Sequence, residues 1–127
     1  MTSRYEQGMN TRRRILGQAH VTRAEAAKTG FDEAFQTLIT ETAWGNLWSR
    51  DAISDRERSM LTIALLAALG NTEELALHIR ATANTGASRA DVIEALLHVA
   101  VYAGVPRANT AIGIAKETYA AMDAEDA

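Results

Sequence analysis

Cysteine is absent from the 127-residue sequence, and proline occurs once. Without cysteine the chain has no disulfides, no thiolate catalysis and no cysteine–zinc sites. Eight glycines and one proline leave few residues that interrupt helices. Hydrophobic residues make up 47% of the chain, enough to exclude global disorder. Its length and composition therefore predict one domain spanning residues 1–127.

The chain has only a small excess of one sign of charge. It contains 13 Lys and Arg residues and 16 Asp and Glu residues, which gives a net charge of −3. No nucleic-acid partner is expected from this balance, and an anionic ligand requires a local basic cluster. The first residues contain no apolar stretch of the kind found in secretory signals. The run Met60–Leu69 is far shorter than the roughly twenty residues of a membrane span, so we expect a cytoplasmic protein without a membrane partner.

Helical periodicity dominates the sequence, and no strand-period pattern, repeat or linker interrupts it. In the first half we expect a helix over residues 3–16 that stops at Gly17, and a short helix over 24–28 capped by Thr22. A further helix is expected from Phe31 towards Trp44, and the segment Trp44–Ser49 is interpreted as a loop or short extra turn.

In the second half, Ser54 and Glu57 have the spacing of a capping box, which predicts a helix from Asp55 to Gly70. This helix is apolar on every side and therefore belongs in the domain centre or at a subunit interface. Three further helices are expected over 72–85, over 89–103 and from Pro106 onward. The predicted fold class is all-α, a single-domain helical bundle of six to eight helices.

Glu74 and His78 lie one turn apart on the helix that follows Asn71. A carboxylate and an imidazole at i and i+4 share a helix face and can touch, so the pair can orient a proton donor. The alternative is a partly exposed helix pair that contributes only about 0.2–0.5 kcal/mol to stability. The three histidines lie far apart, and no zinc-binding His-x-x-x-His spacing occurs, so no metal site is expected.

Several segments together resemble the carboxymuconolactone decarboxylase/AhpD-like superfamily over nearly the whole chain. The peroxidase branch of that superfamily carries Cys-x-x-Cys-x-x-x-His on a helix, where this chain has Asn71, Glu74 and His78. The histidine remains while both thiols are missing, which excludes disulfide exchange. The segments that carry the resemblance are Tyr5–Met9, Leu16–Val21, Ala43–Gly45, Trp48–Arg50, Arg58–Ser59 and residues 65–116.

This resemblance implies a cofactor-free decarboxylase of protocatechuate (β-ketoadipate) catabolism. The implied reaction converts 4-carboxymuconolactone, a small dianionic lactone, to 3-oxoadipate enol-lactone and CO₂. The resemblance also implies a homo-oligomer, with a hexamer as the expected form. Because the apolar helix over Met60–Leu69 would expose too much apolar surface in a monomer, we expect the site near a subunit boundary. Two alternatives stay open: a related lactone or ketoacid decarboxylase or isomerase, and a non-catalytic helical oligomerisation module.

In the implied reaction His78 is the first candidate for the proton donor, with Glu74 orienting its ring or raising its pKa. Arg58 is the candidate for binding a substrate carboxylate, and its alternative is a surface arginine beside acidic residues. The candidates for donating to the developing dienolate oxygen are His20, His98 and Tyr102.

Each of the remaining candidates also has an ordinary structural explanation. His98 stands on an otherwise apolar face, which is more typical of a hydrogen-bonded core residue than of a catalyst. Arg12–Arg14 is typical of a solvated face, although one member can point into a site. Trp44 belongs to the core, to an interface or to a site wall. Pro106–Asn109 opens a helix that can bind an anion or simply form a corner.

Overall fold

The computed structural model describes residues 2–127, and these residues form seven α-helices and one π-helix. The predicted all-α class with six to eight helices is confirmed. The elements are α1 (Arg4–Leu16), α2 (Gln18–Ala27), α3 (Glu33–Ile39), the π-helix (Thr40–Trp48), α4 (Asp55–Leu69), α5 (Thr72–Thr85), α6 (Arg89–Tyr102) and α7 (Val105–Glu125). Within the described residues no helix is both long enough and apolar enough to cross a membrane.

The chain forms two compact units, Met1–Ser54 and Asp55–Ala127. In the first unit α1 packs mainly on the π-helix. Their close approach depends on glycine, because a Cβ atom at Gly8 would collide with the backbone of Thr40. A side-chain hydrogen bond of 2.7 Å between Thr11 and Ser49 also joins the two elements.

Two boundaries in the first unit differ from the sequence prediction. The helix expected over 24–28 begins at Gln18, because Gly17 adopts a φ of 93°, which ends α1 and allows a second helix to start at the next residue. The segment Trp44–Ser49, expected to be a loop or a short extra turn, is not a loop, since all of it except Ser49 belongs to the π-helix. Gly45 lies within this π-helix, where its missing side chain lets the backbone of Arg4 approach.

In the second unit α4, α5, α6 and α7 surround one hydrophobic core. Capping residues define two of these helices as the sequence predicts. Gly86 ends α5 in the left-handed conformation, and the side chains of Ser88 and Asp91 form a capping box that begins α6. The side chains at the centre of the core are at most 1% exposed, and they include Ile63, Leu75, Ile79 and Leu96.

The apolar helix α4 is only half inside this core. Ile63 and Ala67 on its inner side are buried, at 0% and 3% exposure. On its outer side Leu61, Leu65 and Leu69 are 57%, 61% and 66% exposed. A helix without charged residues over Met60–Leu69 therefore keeps one uncovered apolar side in the single chain.

Shortening a central core side chain is expected to destabilise the second unit strongly. Ile79→Ala removes buried methyl groups and leaves a cavity, which should lower the free energy of unfolding by about 2–5 kcal/mol. Ile93→Ala is the matched control, because Ile93 is 41% exposed on α6 and should lose much less. Urea unfolding followed by circular dichroism measures both variants, and equal losses would contradict the core described above.

Candidate active site

His78 is a polar residue placed on the buried face of α5. Leu75 and Ile79 flank it on the same face at 1% and 0% exposure, and His78 itself is 7% exposed. This face is turned inward because α5 packs on both α4 and α7. The imidazole therefore stands in mostly apolar surroundings, as a proton donor protected from water requires.

Burial lowers the pKa of His78 from 6.5 to about 4, because the apolar surroundings disfavour the charged imidazolium. The prediction that Glu74 raises this pKa is wrong. Glu74 is exposed in the first turn of α5, where water screens its carboxylate, and desolvation of His78 is the cause of the shift. At neutral pH the imidazole of the substrate-free protein is uncharged.

The lowered pKa makes the stability of the protein depend on pH. Between pH 7 and pH 4 the unfolded chain takes up a proton at His78, whereas the folded chain accepts one only as the pH falls to about 4. The free energy of unfolding should therefore fall by about 3 kcal/mol on acidification over this range through this residue.

Urea unfolding of the parent protein and of His78→Gln at several pH values measures this contribution as the difference between their pH profiles. The substitution should flatten the profile between pH 7 and pH 4. A His78→Gln profile parallel to that of the parent would contradict the assigned desolvation.

Arg58 and Ser59 are a second pair of buried polar residues, one turn into α4. Arg58 is 9% exposed, and Ser59 is fully buried at 0%. The alternative of a solvent-exposed surface arginine is therefore wrong, because the guanidinium is withdrawn from bulk water. A buried guanidinium is well suited to bidentate binding of a carboxylate.

Two predicted site residues, His98 and Tyr102, lie on the outside of α6. Their rings stack, with centroids 6.3 Å apart and planes inclined by 14°. Tyr102 is 85% exposed, and His98 is also exposed. The expectation of a core position for His98 is wrong, because the inner side of α6 is formed by the positions of Val92, Leu96 and Val99.

The other predicted site residues belong to the first unit. His20 is half-buried on α2, and Trp44 is buried in the π-helix, where its ring lies 5.5 Å from that of Trp48. Arg12 is 6% exposed and forms an ion pair of 3.3 Å with Glu25, so this member of the arginine triplet is not on a solvated face. Arg13 and Arg14 are exposed, as expected.

The start of α7 forms a corner against the end of α4. Gly70 has a φ of 75°, and a Cβ atom added there would collide with the guanidinium of Arg107. Arg107 therefore lies against the turn that joins α4 to α5. Within residues 2–127 no group of three His, Asp or Glu side chains is placed to hold a metal ion.

The sequence prediction missed two contacts that position these elements. Arg56 donates two hydrogen bonds, of 2.6 and 2.7 Å, to the carboxylate of Asp91 and so ties the start of α4 to the start of α6. These hydrogen bonds, together with those of the capping box, lower the pKa of Asp91. The second contact, the Arg12–Glu25 ion pair, had a signal in the sequence, because buried Arg12 shares the inner helical spacing of Met9.

Comparison with known proteins identifies the family of the chain. The model of the carboxymuconolactone decarboxylase family matches residues 33–117. The chain is 40% identical over 116 residues to the 4-carboxymuconolactone decarboxylase of Acinetobacter baylyi, covering 91% of this chain and 87% of that protein. It is 36% identical over 114 residues to the nitrosuccinic acid decarboxylase of Metarhizium robertsii, covering 90% of this chain and 80% of that protein. The resemblance seen in the sequence is thus confirmed, and the protein belongs to the carboxymuconolactone decarboxylase family.

Proposed function

We propose that the protein is a carboxy-lyase that converts 4-carboxymuconolactone to 3-oxoadipate enol-lactone and CO₂ without a cofactor. The observation that carries this proposal is the 40% identity, over 91% of the chain, with a relative named for that reaction. A buried imidazole and a buried guanidinium in the second unit are consistent with it. The hexamer and the cytoplasmic location expected from the sequence stay predictions.

The proposed substrate supplies its own electron sink. Its departing carboxylate sits on a ring carbon that is conjugated through a C=C bond to the lactone carbonyl. When the bond to CO₂ breaks, the electron pair moves through this system onto the carbonyl oxygen. The substrate thus accepts the electrons that a bound cofactor accepts in other decarboxylases. The protein must hold a dianion, stabilise the developing dienolate and deliver one proton to carbon.

His78 is the proposed proton donor. Burial keeps its imidazole neutral before the substrate binds, since its pKa is about 4. A bound dianion favours the imidazolium, because an opposite charge in a site of low dielectric constant raises the pKa of a histidine. The protonated ring then gives its N–H proton to the carbon alpha to the carbonyl and returns to the neutral form.

The remaining roles follow from exposure and charge. Arg58 is proposed to bind a substrate carboxylate, because its guanidinium is buried and carries the charge opposite to the substrate. Glu74 is proposed to orient the imidazole from the same helix, although it does not raise the pKa. A donor to the dienolate oxygen is most effective in a dry site, contributing about 3 kcal/mol.

Among the proposed dienolate donors, half-buried His20 is closer to that requirement than exposed His98 or Tyr102. Tyr102 and His98 require cover from outside the single chain to meet it. Trp44 is proposed as an apolar wall for the substrate ring, because it is 7% exposed.

Turnover measurements on purified protein test the proposal. We expect CO₂ release from 4-carboxymuconolactone with no added cofactor, undiminished after treatment with a chelator. The non-catalytic alternative predicts neither turnover nor saturable binding of a dicarboxylate in calorimetric titration. Absence of both would leave oligomerisation as the function and reject the decarboxylase.

A second substrate is favoured by a specific observation, the 36% identity with a nitrosuccinic acid decarboxylase. Nitrosuccinic acid is also a dicarboxylic acid, and its nitro group can accept the electron pair that CO₂ leaves behind. Comparing kcat/KM for the two compounds on one preparation separates the candidates. We expect the higher kcat/KM for 4-carboxymuconolactone, and the opposite order would assign the protein to the nitro compound.

Binding of a dianion should be coupled to proton uptake by His78. At pH 6 the free imidazole is mostly neutral, and the ligand should raise its pKa, so up to one proton should enter per site. Calorimetric titration with a saturated, non-reacting lactone dicarboxylate in two buffers of different ionisation enthalpy measures this uptake. The variant His78→Gln should show no such uptake, and an unchanged value in that variant would assign the proton to another group.

A further inference from the structure

A cleft between α6 and α7 lies apart from the residues assigned to decarboxylation. Its volume is about 140 Å³, and all of its lining residues belong to the second unit. None of the proposed site residues lines it. Its walls are mostly apolar and come from both helices, with Val92, Ile93 and Leu96 on α6 and Ile112, Ala115 and Tyr119 on α7.

The size of this cleft matches a single six-membered ring. Its floor is part of the hydrophobic core, because Val92, Leu96 and Ala115 are all buried. Ile93 is exposed and lies at the mouth, so the cleft opens to solvent. A dry apolar cavity of about 150 Å³ is large enough to bind one benzene molecule. The half-buried ring of Tyr119 adds an aromatic wall against which a second ring can pack.

Two cationic side chains also line the cleft, and they differ in their partners. Arg89 donates hydrogen bonds of 3.2 and 2.5 Å to the carboxylate of Asp123, and its guanidinium lies 4.4 Å from the centre of the Tyr119 ring. Its charge is therefore already balanced. Lys116 is exposed, and its ammonium group has no ion pair or hydrogen bond within residues 2–127. The cleft thus has one uncompensated positive charge beside an apolar cavity.

We propose that this cleft binds a monocyclic aromatic monocarboxylate, with its ring between α6 and α7 and its carboxylate against Lys116. The volume admits one ring, the apolar walls favour its removal from water, and the unpaired ammonium group selects an anion. One uncompensated cation matches one carboxylate, so the ligand differs from the dicarboxylates of the proposed reaction. This inference is independent of the proposed function, because the two sites share no residue.

Benzoate and benzamide are the probes, because they have the same ring and nearly the same size but differ in charge. Methyl-detected NMR titration of the full chain follows the binding of each. The methyl resonances of Ile93, Leu96 and Ile112 should shift in a saturable way, whereas those of Ile63, which does not line the cleft, should move much less. Benzoate should bind about two-fold to five-fold more tightly than benzamide, as expected for an exposed charge pair.

The only two lysines of the chain provide a matched pair of variants. Lys116→Met removes the charge at the cleft but keeps an unbranched side chain, so benzoate and benzamide should bind with equal affinity. Lys28→Met removes the lysine of the first unit, which pairs with Glu25 at 2.9 Å, and should keep the preference for benzoate. Circular dichroism checks that both variants retain the helical content of the parent.

Three results would overturn this inference. Equal affinities of the parent for benzoate and benzamide would show that charge does not select the ligand. Saturable shifts confined to methyl groups outside the cleft would place the ligand elsewhere. An unchanged preference for benzoate in Lys116→Met would assign the carboxylate to another residue. Because none of these measurements involves turnover, each of these results would leave the proposed decarboxylase function intact.

Discussion

Replacing His78 by alanine is expected to lower kcat for decarboxylation by about 10²–10⁴-fold, the usual contribution of a positioned general acid. The imidazole is 7% exposed and lies on the buried face of α5 beside Leu75 and Ile79, so water cannot easily replace it as the proton source. The electron sink of the substrate and its bound carboxylates are unaffected by the change. The loss should therefore appear mainly in kcat, with a smaller change in KM.

A second variant separates chemistry from packing. His78→Gln keeps the approximate size and a hydrogen-bonding group but cannot transfer a proton, so it should be as inactive as His78→Ala. His98→Ala removes an exposed histidine on α6 and should retain turnover within a few-fold of the parent. If either His78 variant keeps kcat near the parent value while its helical content and mass are unchanged, the proton comes from another group.

The helices of the second unit were predictable because their signals are local. Gly86 requires only a left-handed residue at a helix end, and the capping box of Ser88 and Asp91 requires only a spacing of three. The helices of the first unit were harder to predict, because the residues at which they begin and end depend on contacts between elements. Gly45 allows an approach by α1 that no local pattern reveals, so the sequence predicts only a loop or a short extra turn where the structure has the end of a π-helix.

The candidate site was predictable in residue type but not in electrostatics. Helical spacing placed Glu74 and His78 on one helix a turn apart, as the structure has them. Spacing cannot distinguish a buried position from an exposed one at the edge of the same face. One turn of α5 is enough to leave Glu74 in water and to withdraw His78 from it, which reverses the expected direction of the pKa shift.

The same limit explains the errors at His98 and Arg12. The apolar neighbours of His98 suggested a core face, yet Leu97 and Val101 are themselves 49% and 77% exposed. An apolar helix face that is uncovered in a single chain has the same sequence pattern as a face that packs in the core. Arg12 shows the opposite error. The arginine triplet predicts a solvated face, yet Arg12 is only 6% exposed and forms an ion pair with Glu25.

Replacing Arg58 by alanine is expected to lower kcat/KM by about 30-fold to 5000-fold, which corresponds to the roughly 2–5 kcal/mol lost when one member of a buried charge pair is truncated. The guanidinium should bind the carboxylate that remains in the product. A strong contact to the departing carboxylate would stabilise a charge that disappears as CO₂ forms and would slow the reaction. The loss should therefore appear mostly as a higher KM, because the retained carboxylate is bound alike in the ground state and the transition state.

Two arginine variants make this expectation specific. Arg58→Lys keeps the charge but lacks the two parallel donors, so it should recover only part of the lost kcat/KM. Arg56→Ala removes a neighbouring arginine that is exposed and paired with Asp91, and KM should stay close to that of the parent. If Arg58→Ala and Arg56→Ala have the same KM, Arg58 has no role in substrate binding. If only Arg58→Ala weakens binding, the difference lies in burial, because both residues carry the same charge on the same turn of α4.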